Sequence, residues 1–122
     1  DLHDLCRRQR QMCIRDRGRR SLTDFRVIER YRGATLIEAK PVTGRTHQIR
    51  VHAQHAGHPI LGDHKYGSEE QLGLAKAHGL KRLFLHAQRL EFRLGGRRYR
   101  FEAPLDDELS AVCHSFGTKS LG

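Results

Sequence analysis

The run from Pro41 to Gly67, PVTGRTHQIRVHAQHAGHPILGDHKYG, restricts the fold of this chain more than any other stretch. It opens on a proline, which has no N–H to give to a strand ladder and so closes whatever strand precedes it. Thr43-Gly44 then leads into residues 45–56, where Ile49, Ala53 and Ala56 fall at i, i+4 and i+7, one face of a helix. Gly57 is placed to stop that helix, and Pro59 follows two residues later. Residues 60–67, ILGDHKYG, then read as a loop.

The flanks supply strands on both sides. Residues 23–31 (TDFRVIERY) are rich in β-branched and aromatic side chains, Arg32-Gly33 supplies a turn, and residues 34–40 (ATLIEAK) return as a second strand. Ser68 is placed as the N-cap of a short helix with Glu69 and Glu70 in its first turn, ending at Gly79. Residues 83–94 and 97–103 read as strands around the tight-turn pair Gly95-Gly96. Pro104 breaks the second, and a last helix is expected over 108–116. The order ββ-α-α-ββ-α makes the chain α+β. At least one sheet edge is expected to be left unpaired.

The first residues follow a different logic. Residues 1–17, DLHDLCRRQRQMCIRDR, show no hydrophobic period and no turn signal. A basic arm that grips phosphates is one reading. A sharper one comes from the codons: Arg7–Asp16, RRQRQMCIRD, is the translation of CGT-CGG-CAG-CGT-CAG-ATG-TGT-ATA-AGA-GAC, a string that resembles a transposase-based sequencing-library adapter. Residues 1–17 are therefore expected to be non-native and disordered, with 18–122 the credible domain and native sequence missing upstream.

The 122 residues carry 23 basic and 14 acidic side chains, a formal charge of +9. Without residues 1–17 the charge is still +7, from 18 basic and 11 acidic residues. Such a surplus favours a polyanionic partner, nucleic acid first and acidic membrane second, although a soluble basic protein without such a partner would carry the same charge. No apolar run approaches the ~20 residues that span a bilayer, so no membrane partner is expected. Three cysteines without CxxC spacing argue against a disulfide framework or zinc knuckle and make a reducing cytoplasm the default. His47, His52, His55 and His58 are spaced by five, three and three residues, not as the i, i+4 pair of a zinc helix, and no metal is expected.

Within 41–52 the pattern PVTGRTHQIRVH sets Arg45, His47, Gln48, Arg50 and His52 on or just before a helix N-terminus. Backbone N–H groups and a partial positive charge emerge there, and an arginine fork can bind phosphate or carboxylate with two hydrogen bonds. A generic phosphate-gripping helix, or a helix-turn-helix-like DNA reader, would use the same features, although the strand content speaks against the reader.

The string also resembles the PxTGRTHQIRVH signature of the RluA-type RNA pseudouridine synthases. The likeness continues through GHPILGDHKYG (57–67), RLFLHAQRLEF (82–92) and FEAPLDDEL (101–109), and the spacing of AHGLKRLFLHA is most similar to the RluC-like branch that acts on large-subunit ribosomal RNA. The resemblance implies part of a mixed-sheet catalytic domain, no cofactor and no metal, RNA as partner and a monomer at full length. It also implies a single nucleophilic aspartate in an upstream H-R-L-D-x-x-T-S-G block, acting on a uridine flipped from its stack beside an upstream tyrosine. Neither block nor tyrosine occurs in this sequence, so the chain is expected to be a C-terminal portion inactive on its own. By position in the motif, Arg50 is the arginine that pairs with the aspartate. Arg45, His47, Gln48, His52 and Lys65 are candidates for RNA contact, with structural roles at least as favoured for His47 and Gln48. Asp63 and Tyr66 match a different loop, structural or RNA-facing, and His86 is read as a satisfied strand histidine. A non-catalytic RNA-binding module is the alternative.

Overall fold

The computed structural model describes residues 9–16 and 19–117. Three strands come first: β1 (Gln9–Asp16), β2 (Arg19–Arg30) and β3 (Thr35–Pro41), paired antiparallel in that order. The 23–31 and 34–40 hairpin is present, extended at the front of β2, with Gly33 at φ 83° in the turn. Pro41 is the last residue of β3, opposite Thr23, where its missing N–H costs nothing further along the ladder. A register shift between Val27 and Glu29 leaves Ile28 as an extra, exposed residue.

β1 corrects the expectation of disorder over 1–17 for the part described. Its eight residues pair one-to-one with β2, from Gln9 opposite Arg26 to Asp16 opposite Arg19. An open strand edge offers unpaired N–H and C=O groups to any extended segment, and main-chain bonds make few demands on the side chains that arrive. Residues 1–8 and 17 lie outside the described residues.

Helix α1 (Gln48–His55) packs on β2 and β3. Its buried face carries Gln48, His52 and Ala53, continuing to Ala56, and meets β2 through the hydrogen bond from Gln48 to the buried Thr23. Ile49 is only half-buried, so the inward stripe is rotated by one residue from the one read in the sequence. Helix α2 (Glu69–Ala77) starts at the expected cap, Ser68, whose Oγ accepts from the Gln71 N–H at 3.2 Å. Helix α3 (Asp107–Phe116) is capped by Asp106 through the Leu109 N–H at 2.8 Å. Both caps satisfy an otherwise orphaned first-turn donor. Leu109, Val112 and Phe116 of α3 form the main apolar core with Ala75 and Leu80, and Tyr31, Leu61, Leu74 and Phe84 pack around it.

The strand expected over 83–94 is shorter. Only β4 (Arg89–Leu94) is laddered, to β5 (Arg97–Glu102); residues 83–88 lie outside any strand, with the Leu85 N–H turned back on the Leu83 carbonyl at 2.9 Å and the Phe84 N–H donating to the Leu61 carbonyl at 2.8 Å. Gly95 and Gly96 both have positive φ, 60° and 77°, the conformation a two-residue hairpin turn requires. The two strands form a separate sheet, and every strand pairing among the described residues is antiparallel, so the parallel pairs of a mixed sheet are not among them. The chain remains α+β, with observed order βββ-α-α-ββ-α.

Candidate functional site

The corner between β3 and α1 is built around Gln48. Its Oε1 accepts from the Thr43 hydroxyl at 2.6 Å and the Arg45 N–H at 3.1 Å. Its Nε2 donates to the Leu22 carbonyl at 2.6 Å and the Thr23 hydroxyl at 2.9 Å. The Thr43 hydroxyl in turn accepts from the Leu22 N–H at 3.0 Å. One buried amide thus ties helix, loop and strand together, which is the satisfied condition a buried polar group requires.

His47 caps α1 in the left-handed region, φ 52°, and gives no side-chain cap bond; its ring turns away to meet the Tyr66 hydroxyl at 3.1 Å. Such a φ is uncommon outside glycine. Here it lets the chain turn sharply from Thr46 into the helix while the ring leaves the axis.

Arg50, one turn on, reaches the 60–67 loop. Its Nε and Nη2 donate to the two oxygens of Asp63 at 2.9 and 2.8 Å, a bidentate pair. The Asp63 side chain is fully buried and that of Arg50 is 20% exposed. The Asp63 Oδ1 also accepts from the Lys65 and Tyr66 N–H groups, both at 3.0 Å. The Arg50 guanidinium is the main reason the Asp63 carboxyl titrates low, at about 2; burial opposes this and the two backbone donors assist. Asp63 in turn raises the Arg50 pKa above its ordinary value. The Tyr66 ring lies beside the pair, with the Arg50 Cζ 5.1 Å and the Lys65 Nζ 5.4 Å from its centroid.

The loop that presents Asp63 is held from α2. The Gln71 Nε2 donates to the Asp63 carbonyl and its Oε1 accepts from the Gly62 N–H, both at 2.9 Å. Gly62 has φ 81°, and a Cβ there would collide with the Arg82 carbonyl.

Of the residues singled out in the sequence, Arg50, His47 and Lys65 converge around Tyr66, and Arg45 is exposed on the approach to α1. Gln48 and His52 do not join them. Gln48 is inside, with both ends of its amide engaged, and His52 is 1% exposed with neither ring nitrogen partnered among the described residues. Burial holds the His52 pKa below its ordinary value. Both side chains turn inward, because a helix with period 3.6 brings positions 48 and 52 together onto the sheet. His86 holds the Ala103 carbonyl at 2.9 Å. Asp63, Tyr66 and Gln71 carry more of the site than the sequence reading gave them. One signal was available: an aspartate between glycines can accept from the N–H groups two and three residues on, which Asp63 does.

The strand-to-helix corner thus presents a carboxylate-held arginine beside an aromatic ring and exposed cations, and known proteins resemble this chain. The RNA pseudouridylate synthase family matches residues 3–55, a match that runs through the segment read as adapter-derived. The chain is 50% identical over 103 residues to the ribosomal large subunit pseudouridine synthase C of Yersinia pestis, and 52% identical over 106 residues to that of Escherichia coli O157:H7. Those alignments cover 83% of this chain in both cases, and 32% and 33% of the relatives. The chain therefore spans about a third of the length of the curated relatives it matches. Among solved structures it matches human RNA pseudouridylate synthase domain containing 1 with a TM-score of 0.72 at 26% identity, covering 95% of this chain and 56% of that one. Human RNA pseudouridylate synthase domain containing 4 shares the fold, with a TM-score of 0.69 at 23% identity. In sequence and in fold this chain is similar to the RNA pseudouridylate synthases.

Proposed function

We propose that the whole protein to which this chain belongs isomerises uridine to pseudouridine in RNA, with 23S ribosomal RNA as its substrate. The observation that carries the reading is the Arg50–Asp63 pair, an arginine fixed by one edge at the family's signature helix. The matched relatives' name, ribosomal large subunit pseudouridine synthase C, supports the choice of RNA. The reaction breaks the N1–C1′ bond, joins C1′ to C5, releases the C5 proton and leaves a proton on N1, so its balance needs neither oxidant nor reductant. Arg50 would hold the nucleophilic carboxylate ionised and oriented, as a fixed cation in a water-poor site does. Arg45 and Lys65, both exposed, would meet RNA phosphate, and His47 would act through Tyr66.

Because the nucleophile block is absent from the sequence, the 122-residue chain is inactive alone. The test is release of tritium from 23S ribosomal RNA labelled at uridine C5, with the full-length protein and the 122-residue chain side by side. Release by the full-length protein alone supports the reading. Release by the chain overturns the assignment of the nucleophile to missing sequence. RNA binding by both with release by neither favours the non-catalytic RNA-binding module. The adapter origin of residues 1–17 is tested by sequencing the source DNA through the Gly18 codon with a different library chemistry; a native frame encoding RRQRQMCIRDR overturns it.

A further inference from the structure

The donors of Arg50 are unequally used. A guanidinium has five N–H groups in a rigid fork. Asp63 takes one from Nε and one from Nη2, the side-on edge. The end-on edge, formed by Nη1 and the other Nη2 hydrogen, has the right geometry for a second carboxylate. Asp63 itself is immobilised: its carboxylate has four donors, and Gln71 clamps its carbonyl and the Gly62 N–H. A side chain on a flexible four-bond stem is thus converted into a fixed one, and the rigidity originates in α2, not in α1.

We propose that Asp63 is a positioning residue for the isomerisation, holding Arg50 side-on so that its end-on edge meets the nucleophilic carboxylate. This rests on the function proposed above. Asp63 touches neither RNA nor the reacting atoms, being fully buried, and acts only through Arg50. It has an electrostatic consequence as well. An arginine already neutralised by one carboxylate depresses the pKa of a second less than a lone arginine does. Removing the Asp63 charge therefore leaves the nucleophile more acidic, as well as less well placed. Lys65 and His47 also face this cluster around Tyr66, and neither changes its distance to Asp63 by the substitution itself.

The experiment compares full-length wild type with Asp63→Asn in the tritium-release assay, measuring kcat, KM for RNA and the acid limb of the pH–rate profile. The expected result is a kcat lower by about 10²-fold, the scale of a catalytic group misplaced by about 1 Å. KM for RNA stays within about twofold, since uniform binding is untouched. The acid limb moves to lower pH. A structural role alone would instead lower the fraction of active enzyme, leaving the pH limb in place. Should Asp63→Asn not fold, Gln71→Met carries the test: it frees the loop while keeping the Asp63 charge, and a lower kcat without movement of the acid limb is expected. Wild-type activity with an unchanged kcat and pH limb in the variant overturns the assignment of Asp63 alone. An inactive wild type overturns the function proposed above and this assignment with it.

Discussion

Replacing Asp63 by asparagine in the 122-residue chain tests the energetics of the site apart from catalysis. The carboxyl titrates at about 2 against an ordinary 3.8. At about 1.4 kcal/mol per pH unit that difference is worth about 2 kcal/mol to the folded state when the group is ionised in both states. Asparagine keeps an oxygen for the Lys65 and Tyr66 N–H groups, but turns an NH₂ toward the Arg50 fork, where two donors then face each other. Breaking a buried pair costs about 3 to 5 kcal/mol when the survivor is stranded. Arg50 retains 20% exposure and is partly hydrated, which places the loss near the lower figure, about 3 kcal/mol.

Urea unfolding measures it. With a slope of about 1.5 kcal/mol per molar for a small domain, the midpoint falls by about 2 M. The pH dependence then separates charge from shape. A carboxyl whose folded pKa is depressed stabilises fully above its unfolded pKa, and that contribution is lost as pH falls through the folded value. The gap between wild type and variant should be full at about pH 5 and close progressively toward about pH 2. A midpoint shift under about 0.5 M, or a gap unchanged across that range, would refute the reasoning.

Gln48→Ala removes four hydrogen bonds at a buried corner and is expected to cost about 2 to 4 kcal/mol in urea unfolding; a loss under about 1 kcal/mol would show that the corner is held by something else. His52→Leu is expected to be neutral or stabilising at neutral pH, because it replaces a buried ring without partners among the described residues by an apolar side chain. Its folded pKa is depressed, so the histidine costs stability as pH falls below about 6.5, and the advantage of leucine should grow in melts at about pH 5. Gly62→Ala should destabilise by more than the about 1 kcal/mol of a positive-φ alanine alone, since its Cβ meets the Arg82 carbonyl; a melt unchanged from wild type would contradict the loop geometry. Arg45→Ala and Lys65→Ala should each reduce the salt slope of RNA binding by roughly 0.7 to 0.9 if each meets one phosphate, read from a titration across salt concentrations.

Local chemistry made much of the fold legible. The caps at Ser68 and Asp106, the Gly95-Gly96 turn and the stop at Pro41 are determined by a few adjacent residues, and each is found where the residue types place it. Residues 83–88 were misread because an apolar run does not say whether a neighbour strand exists to pair with it, and here the backbone turns at Leu83–Leu85 and bonds to the Leu61 loop instead. For Gln48 the structural role favoured at least equally in the sequence is the one its four hydrogen bonds serve, whereas the burial of His52 was not legible, because a polar residue on a helix looks like a surface residue until the sheet beneath covers it. Disorder over 1–17 was expected from the missing hydrophobic period and the adapter-like codons, and pairing along residues 9–16 depends instead on the open edge of β2.

Arg50 was legible as the central residue, and its partner within this chain was not, because Asp63 is thirteen positions away across a helix stop and a loop. What the motif could not convey is a division of labour between the two halves of the site. An isolated arginine near a helix N-terminus can answer any anion, phosphate and carboxylate alike. One whose side-on edge is permanently occupied presents a single remaining edge in a fixed plane, with a smaller net charge behind it. A planar carboxylate and a tetrahedral phosphate can both take that edge with two hydrogen bonds, so the fixed plane sets the direction of approach rather than the choice of anion, with the exposed Arg45 and Lys65 nearby. On this argument the Gly62–Gly67 loop is as much a part of the site as the helix that carries the signature.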